Sequence, residues 1–276
     1  MTIVTAYFKL KVAKASPETY TRWIKNMLDI DNEMVIFCDE TSADMIRDRR
    51  SGKMDKTVIL VTTIQEFYTY RYHTVFMEHF KMDTEKRIGH NPFLYMIWNE
   101  KFHFMKRAIE LDPFRSNYFI WVDIGCFRVP NTRFIHWPNP RRLSVLDKSK
   151  VLVLSVVPFT EQEWRCNSLK TLPSFQHCNR IGAGIFGGGK EVMLKWHDTY
   201  YKMLEHFISI DRFIGKEQSI MNSVVLLNRE MVDIVKWKQG CPDPWFYLQE
   251  YLSNTYDEVE RHVRPLHPFK RNGETS

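Results

Sequence analysis

Short apolar runs and longer mixed segments take turns along the first part of the chain. Ile3 to Phe8, Met34 to Cys38 and Thr57 to Thr63 are runs of strand length, rich in β-branched and aromatic residues. Continuous runs of this kind predict strands buried on both faces, as in a parallel sheet. Between the first two lies Ser16-Pro17-Glu18, with a capping serine, a proline at the first helical position and an acid in the first turn. Tyr20, Trp23, Ile24 and Met27 then repeat at helical spacing. The polar stretch 44–56 predicts a surface helix and loop. The aromatic and charged stretch 66–86 has no clean period and predicts a helical excursion that covers the site or meets a second substrate. His90-Asn91-Pro92 opens the next helix, and Asp112-Pro113 ends it. Within it Trp98, Phe102, Met105 and Ile109 form one buried stripe, with Asn99, Lys101 and Lys106 off it.

The run Tyr118 to Val122 is apolar throughout and is followed by Asp123 and Gly125. It predicts a buried strand with a carboxylate where the strand runs out. In open α/β sheets the ligand sits beyond the carboxyl ends of the strands. An acid there suits a hard metal ion bridging phosphates, and it equally suits a plain turn.

The second half is mixed. Residues 129–142 read as an ordered, proline-containing loop, Lys150 to Pro158 as another buried strand, and 161–180 as loop. Five of the eleven glycines fall between Ile181 and Gly189, flanking Ile185-Phe186, a short strand that must pass close to something. A helix follows with Met193, Trp196, Tyr200, Met203 and Phe207 on one face. Gly215-Lys216-Glu217-Gln218 begins another, Met231 to Trp237 reads as a late strand, and 245–251 as a short helix. Strands alternating with helices predict an α/β sheet with a second, acceptor-like half.

Composition narrows the function. The 276 residues suffice for one large domain. Lys and Arg exceed Asp and Glu by 39 − 33 = 6, enough for an anionic small molecule and too diffuse for nucleic acid. Aromatics at 14% suit stacking of flat rings or core filling. The five cysteines form no C-x-x-C pair, which predicts neither a disulfide framework nor a zinc cluster and points to a reducing, cytoplasmic setting. No charged and apolar leader opens the chain, and no apolar run approaches the ~18 residues of a membrane span.

Trp121-Val-Asp123-x-Gly125-x-Phe-Arg128, the Tyr7-Phe8 strand, Trp98-Asn99-x-Lys101 and Ile185-Phe186-Gly187-Gly188 together resemble the HtrL/YibB family, within the broad set of GT-A glycosyltransferases. The likeness spans roughly residues 3–235. Similar enzymes occur in bacterial surface-glycan loci and in large viruses that glycosylate their capsids, which would place a viral chain in host cytoplasm.

The resemblance implies a single GT-A-like domain over 1–276, with a Rossmann-type mixed sheet flanked by helices. About 1–128 would bind the nucleotide sugar, and about 129–276 would hold the acceptor and the catalytic groups. It implies, as the leading reading, a metal-dependent transfer from a UDP-linked donor, with UDP-xylose first, to a glycan or glycoprotein hydroxyl. Asp123 matches the metal-binding Asp-x-Asp, but Gly125 stands where the second acid would be. Mn²⁺ or Mg²⁺ would then be completed by His267, with His262 second. Glu217 matches the acceptor-side acid and would serve as base in an inverting displacement, with Asp211 in reserve. Gly187 and Gly188 would let the backbone approach the donor sugar, and Tyr7 and Phe8 would lie near base and ribose. Lys101 would meet a phosphate, pair with Asp123, or lie exposed. A binding protein without turnover, and a nucleotide-sugar hydrolase or nucleotidyltransferase, remain open beside this reading.

Overall fold

The computed structural model describes residues 1–10, 16–128, 134–239, 241 and 243–253. Seven strands form one sheet: β1 Thr2–Tyr7, β2 Glu33–Cys38, β3 Thr57–Val61, β4 Tyr118–Val122, β5 Val151–Ser155, β6 Ile181–Gly189 and β7 Val232–Lys236. Their order is β3-β2-β1-β4-β6-β5-β7. The strands β3, β2, β1 and β4 are mutually parallel, and β5 is parallel to β7. Only β6 runs antiparallel to its neighbours, β4 and β5. The mixed α/β sheet is the one expected.

The apolar runs explain the three layers. Successive strand residues point to opposite faces, so a run without polar gaps must be covered twice. On β1, Val4 enters one core cluster and Ile3 the other; on β4, Phe119 and Trp121 go one way, and Ile120 and Val122 the other. One face is covered by α1 (Pro17–Leu28), α2 (Glu40–Arg49), α5 (Pro140–Ser144) and α9 (Tyr247–Ser253), through residues such as Met27, Ala43, Leu143 and Leu248. The other is covered by α3 (His73–His79), α4 (Pro92–Leu111), α6 (Glu161–Trp164), α7 (Lys190–Ser209) and α8 (Glu217–Leu227), through Phe76, Phe102, Trp164, Trp196 and Ile220. Most of the aromatic excess fills this second core. Phe102 stacks on Tyr200 at 3.6 Å, and Phe104 on Phe37 at 4.3 Å.

Local signals set the helix starts. Ser16 Oγ accepts from Thr19 N at 3.2 Å, and Asn91 Oδ1 accepts from Leu94 N at 3.0 Å, each just before a proline. All five cysteines are free.

Two expectations change. The long helix α4 does not bury a single stripe: Asn99, Glu100 and Lys101 are buried along with Phe102 and Met105. It is wedged between the sheet, the turns of 64–72, and helices α7 and α8, so little of it reaches water. And Ile185-Phe186 is not a short strand flanked by loops. It is the middle of the nine-residue β6, whose glycines lie within the sheet. A Cβ at Gly187 would stand 2.5 Å from the Phe119 carbonyl oxygen, and one at Gly189 2.5 Å from that of Lys148. Gly187 and Gly189 are needed because neighbouring backbone presses on the strand.

Candidate functional site

Because β1 and β4 are parallel neighbours, their carboxyl ends open on the same edge of the sheet, where α/β folds hold ligands. A cleft of about 830 Å³ lies there. Ala6, Tyr7 and Phe8 reach it from β1, and Trp121, Asp123 and Gly125 from the end of β4. Gly184 of β6, Lys101 of α4 and Glu217 of α8 also line it.

The centre of the cleft is a three-part charge cluster. Lys101 Nζ lies 2.9 Å from Asp123 Oδ1 and 2.8 Å from Glu217 Oε1. It also donates to the Ala183 carbonyl at 3.3 Å. These are three acceptors for the three N–H bonds of an ammonium. The Lys101 side chain is 2% exposed. Burial works against its charge, but the attraction of Asp123 and Glu217 outweighs that and holds the ammonium well above its ordinary pKa. Asp123 is fixed further by Trp121 Nε1, which donates to Oδ1 at 2.7 Å, and by its own N–H on the Gly184 carbonyl at 2.7 Å. Burial pushes the Asp123 carboxyl up, against the pull of Lys101. Glu217 differs: Oε1 is held, while Oε2 makes no hydrogen bond among the described residues.

Around this centre the walls are aromatic and basic. Tyr20 and Trp23 of α1 meet edge to face at 5.5 Å. Arg128 lies between two rings, 4.7 Å from Trp23 and 4.4 Å from Phe246. Tyr7 is on the rim, whereas Phe8 is buried and packs edge to face on Phe67 at 4.9 Å. Gly125 sits under Trp23, whose Cε3 would be 3.5 Å from an added Cβ.

The expected residues are thus partly gathered. Tyr7, Phe8, Lys101, Asp123, Gly125 and Glu217 share the cleft. Lys101 is not an exposed helical lysine but the buried partner of both acids. Gly187 and Gly188 do not line it; Gly187 is pressed by β4, and a Cβ at Gly188 would meet Val192 at 2.8 Å and the Lys150 carbonyl at 3.0 Å. Gly184 is the glycine of β6 that faces Asp123, with Oδ2 at 3.7 Å from an added Cβ. Asp211 is away from the cleft, 91% exposed, 3.6 Å from His79 Nε2. His267 and His262 lie outside the described residues.

One group among the described residues could hold a metal ion: Asp83, Glu85 and His90, with ligand atoms within 4.8 Å of one another. Asp83 Oδ2 lies 2.7 Å from His90 Nδ1 and accepts from Tyr95 OH at 2.5 Å. His90 Nε2 is buried without a hydrogen-bond partner. Glu85 and His90 line the cleft, and Lys216 Nζ pairs with Glu85. The arrangement is compatible with a divalent ion. Asp123 fits one less well, since both its oxygens already face Lys101.

Sequence reasoning passed over Gly184, Arg128, Tyr20, Trp23, Glu85 and His90. Tyr20 and Trp23 carried a signal, since aromatic residues on an otherwise ordinary amphipathic helix are also what a stacking wall needs. No helix among the described residues is long and apolar enough to cross a membrane.

The model of a family described as "Bacterial protein of unknown function (HtrL_YibB)" matches residues 1–239. Protein HtrL of Escherichia coli strain K12 is 25% identical over 231 residues, which are 74% of this chain and 75% of that one. Among solved structures, apo mouse xyloside xylosyltransferase 1 aligns over 84% of each chain, with a TM-score of 0.44 and 10% identity. The 4-diphosphocytidyl-2C-methyl-D-erythritol synthase of Anaerococcus prevotii DSM 20548 aligns over 92% of this chain and 96% of its own, with a TM-score of 0.41 and 11% identity.

Proposed function

The chain belongs to the HtrL_YibB family, and from that premise we propose that it is a glycosyltransferase. It moves a sugar from a nucleotide donor, UDP-linked and with UDP-xylose the first to test, to a hydroxyl of a glycan or glycoprotein. The observation that carries this reading is the pair of carboxylates, Asp123 and Glu217, held by one buried ammonium at the carboxyl edge of a parallel sheet.

The roles follow from the placement. Tyr7, with Tyr20 and Trp23, offers flat surfaces for the base, and Phe8 lines the same cleft. Lys9 and Arg128 are cleft cations for the diphosphate. Asp123, Gly125 and Gly184 form the floor on which the donor sugar would lie. Glu217 Oε2 takes the acceptor hydroxyl proton as that oxygen bonds to the anomeric carbon. The bond from that carbon to the phosphate oxygen breaks, and the nucleoside diphosphate leaves with its electron pair. Direct displacement of this kind inverts the anomeric centre. If a Mn²⁺ or Mg²⁺ ion takes part, Asp83, Glu85 and His90 are the residues that would hold it, and it would supply charge against the leaving diphosphate.

The test is a thermal-shift screen of UDP, GDP, CMP and their sugars, with Mn²⁺ and with EDTA. A ligand at about 100 times its Kd adds about 2.7 kcal/mol of stability. We expect a shift with one nucleotide class, lost in Asp123→Ala. Glu217→Gln should keep that shift and lose transfer by about 10²–10⁴-fold. A donor consumed without acceptor would indicate a hydrolase. Nucleotide binding without turnover by any donor and acceptor pair would indicate a binding protein. No shift with any nucleotide removes the proposal.

A further inference from the structure

The acid of β4 invites a divalent metal, yet the place between the two carboxylates is taken. Lys101 Nζ stands within 2.9 Å of Asp123 and 2.8 Å of Glu217. Its third hydrogen goes to the Ala183 carbonyl at 3.3 Å. The ammonium therefore has no unused donor. Asp123 Oδ1 takes a second hydrogen bond from Trp121 Nε1, and residue 125, where another acid could have stood, is glycine. An ion bound by both carboxylates would have to occupy the position of Nζ itself.

We propose that Lys101 is the permanent counter-ion of the Asp123–Glu217 pair, and that these two acids take no divalent metal while it is there. The lysine does by covalent attachment what a bound ion does elsewhere: it lets two acids, Glu217 buried and Asp123 half-buried, stand close together. It also fixes the direction of each. Asp123 is held on both oxygens. Among the described residues Glu217 is held by Oε1 alone, which leaves the other oxygen for a proton. Lys101 is thus a positioning residue for Glu217, and that part of the inference rests on the glycosyltransferase reading. The cation seat itself does not.

The two carboxylates come from the end of β4 and the start of α8, and the ammonium from the middle of α4. Truncating the lysine leaves two negative charges facing one cavity with room for a cation. That is a hard-oxygen site of the sort manganese enters. The same reasoning separates this place from the Asp83–Glu85–His90 group, whose histidine nitrogen is without a partner.

The experiment is a Mn²⁺ titration of the full chain, followed by the electron paramagnetic resonance signal of the free ion. It is made in a His90→Gln background so that the histidine group does not contribute. With Lys101 present, we expect no Mn²⁺ binding that depends on Asp123. With Lys101→Ala, one ion should bind at least about tenfold more tightly, and Asp123→Asn should abolish that gain. Mn²⁺ bound with Lys101 in place and lost in Asp123→Asn overturns the proposal. So does a folded Lys101→Ala chain that gains no ion. If Lys101→Ala does not fold, the comparison of the Lys101-bearing chain with its Asp123→Asn variant decides alone. Because no nucleotide is used, failure of every nucleotide to bind would end the proposed activity without touching this result.

Discussion

Glu100 and Lys101 are neighbours on α4, both buried, and they serve different parts of the molecule. Lys101 points to the cleft and gathers two acids from distant elements. Glu100 points to the packed side, where Oε1 accepts from Tyr68 N and Oε2 from Thr69 N, each at 2.9 Å. It pins the turn of 68–72 to the helix. Burial pushes its carboxyl up to about 7, against the two backbone donors that favour the ionised form. The same contrast runs along β6, where Gly184 faces Asp123 and Gly187 is pressed by the backbone of β4. Adjacent positions of one element thus divide between chemistry and scaffold. A buried charge or a glycine is therefore no sign of function until its partners are known.

The comparison can be broken most forcefully at Lys101. Lys101→Met leaves the buried Glu217 and the half-buried Asp123 without their cation, and we expect a loss of about 3 kcal/mol in urea unfolding, the low end for a buried pair because solvent screens Asp123. A loss below about 1 kcal/mol would mean that the cluster is loosely held, closer to an exposed pair than a buried one. Gly187→Ala should cost about 1–3 kcal/mol, since backbone must move to admit the methyl. Gly184→Ala meets only Cys126 Sγ at 3.2 Å and side-chain atoms beyond it, so it should spare the fold and weaken the nucleotide-dependent thermal shift. If both alanines unfold the chain equally, the division within β6 is wrong.

Glu100→Gln sharpens the contrast in a different way. It exchanges one accepting oxygen for a donor beside a backbone N–H, at a cost of about 1–3 kcal/mol, while leaving the nucleotide shift intact. Its pH dependence has a definite sign. An acid whose folded pKa is raised binds more protons folded than unfolded, so its contribution is present at low pH and lost as pH rises. Stability of the parent chain should fall between pH 4.5, the ordinary value, and about 7. That slope should flatten in Glu100→Gln, and an unchanged slope would assign it to other groups. The smallest effect is expected at Asp211. It is exposed and at φ 51°, a backbone conformation that asparagine also adopts. Asp211→Asn should stay within about 0.5 kcal/mol in stability and leave transfer unchanged, whereas Glu217→Gln should not.

What the amino-acid sequence determined by itself was local. Tyr118 to Val122 is a strand because five successive apolar residues can only be covered on two faces. Ser16 and Asn91 start helices because each places a side-chain acceptor before a proline and within reach of the orphan N–H three residues on. The sheet class and several cleft residues, Asp123 and Glu217 among them, were legible because their neighbours carry the pattern or because short motifs resemble a family. What only the tertiary structure decided was which of these residues meet. Lys101 and Glu217 lie 116 positions apart, and nothing between them encodes their contact. It arises from the strand order, which sets β6 between β4 and β5, and from the packing of α4 against α7 and α8. The same helix packing buries Lys101 beside a stripe that excluded it, and the pairing of β6 with β4 turns Gly187 into scaffold. Periodicity reports which face of an element is dry, but a charge reaches its counter-charge only when separate elements are brought together.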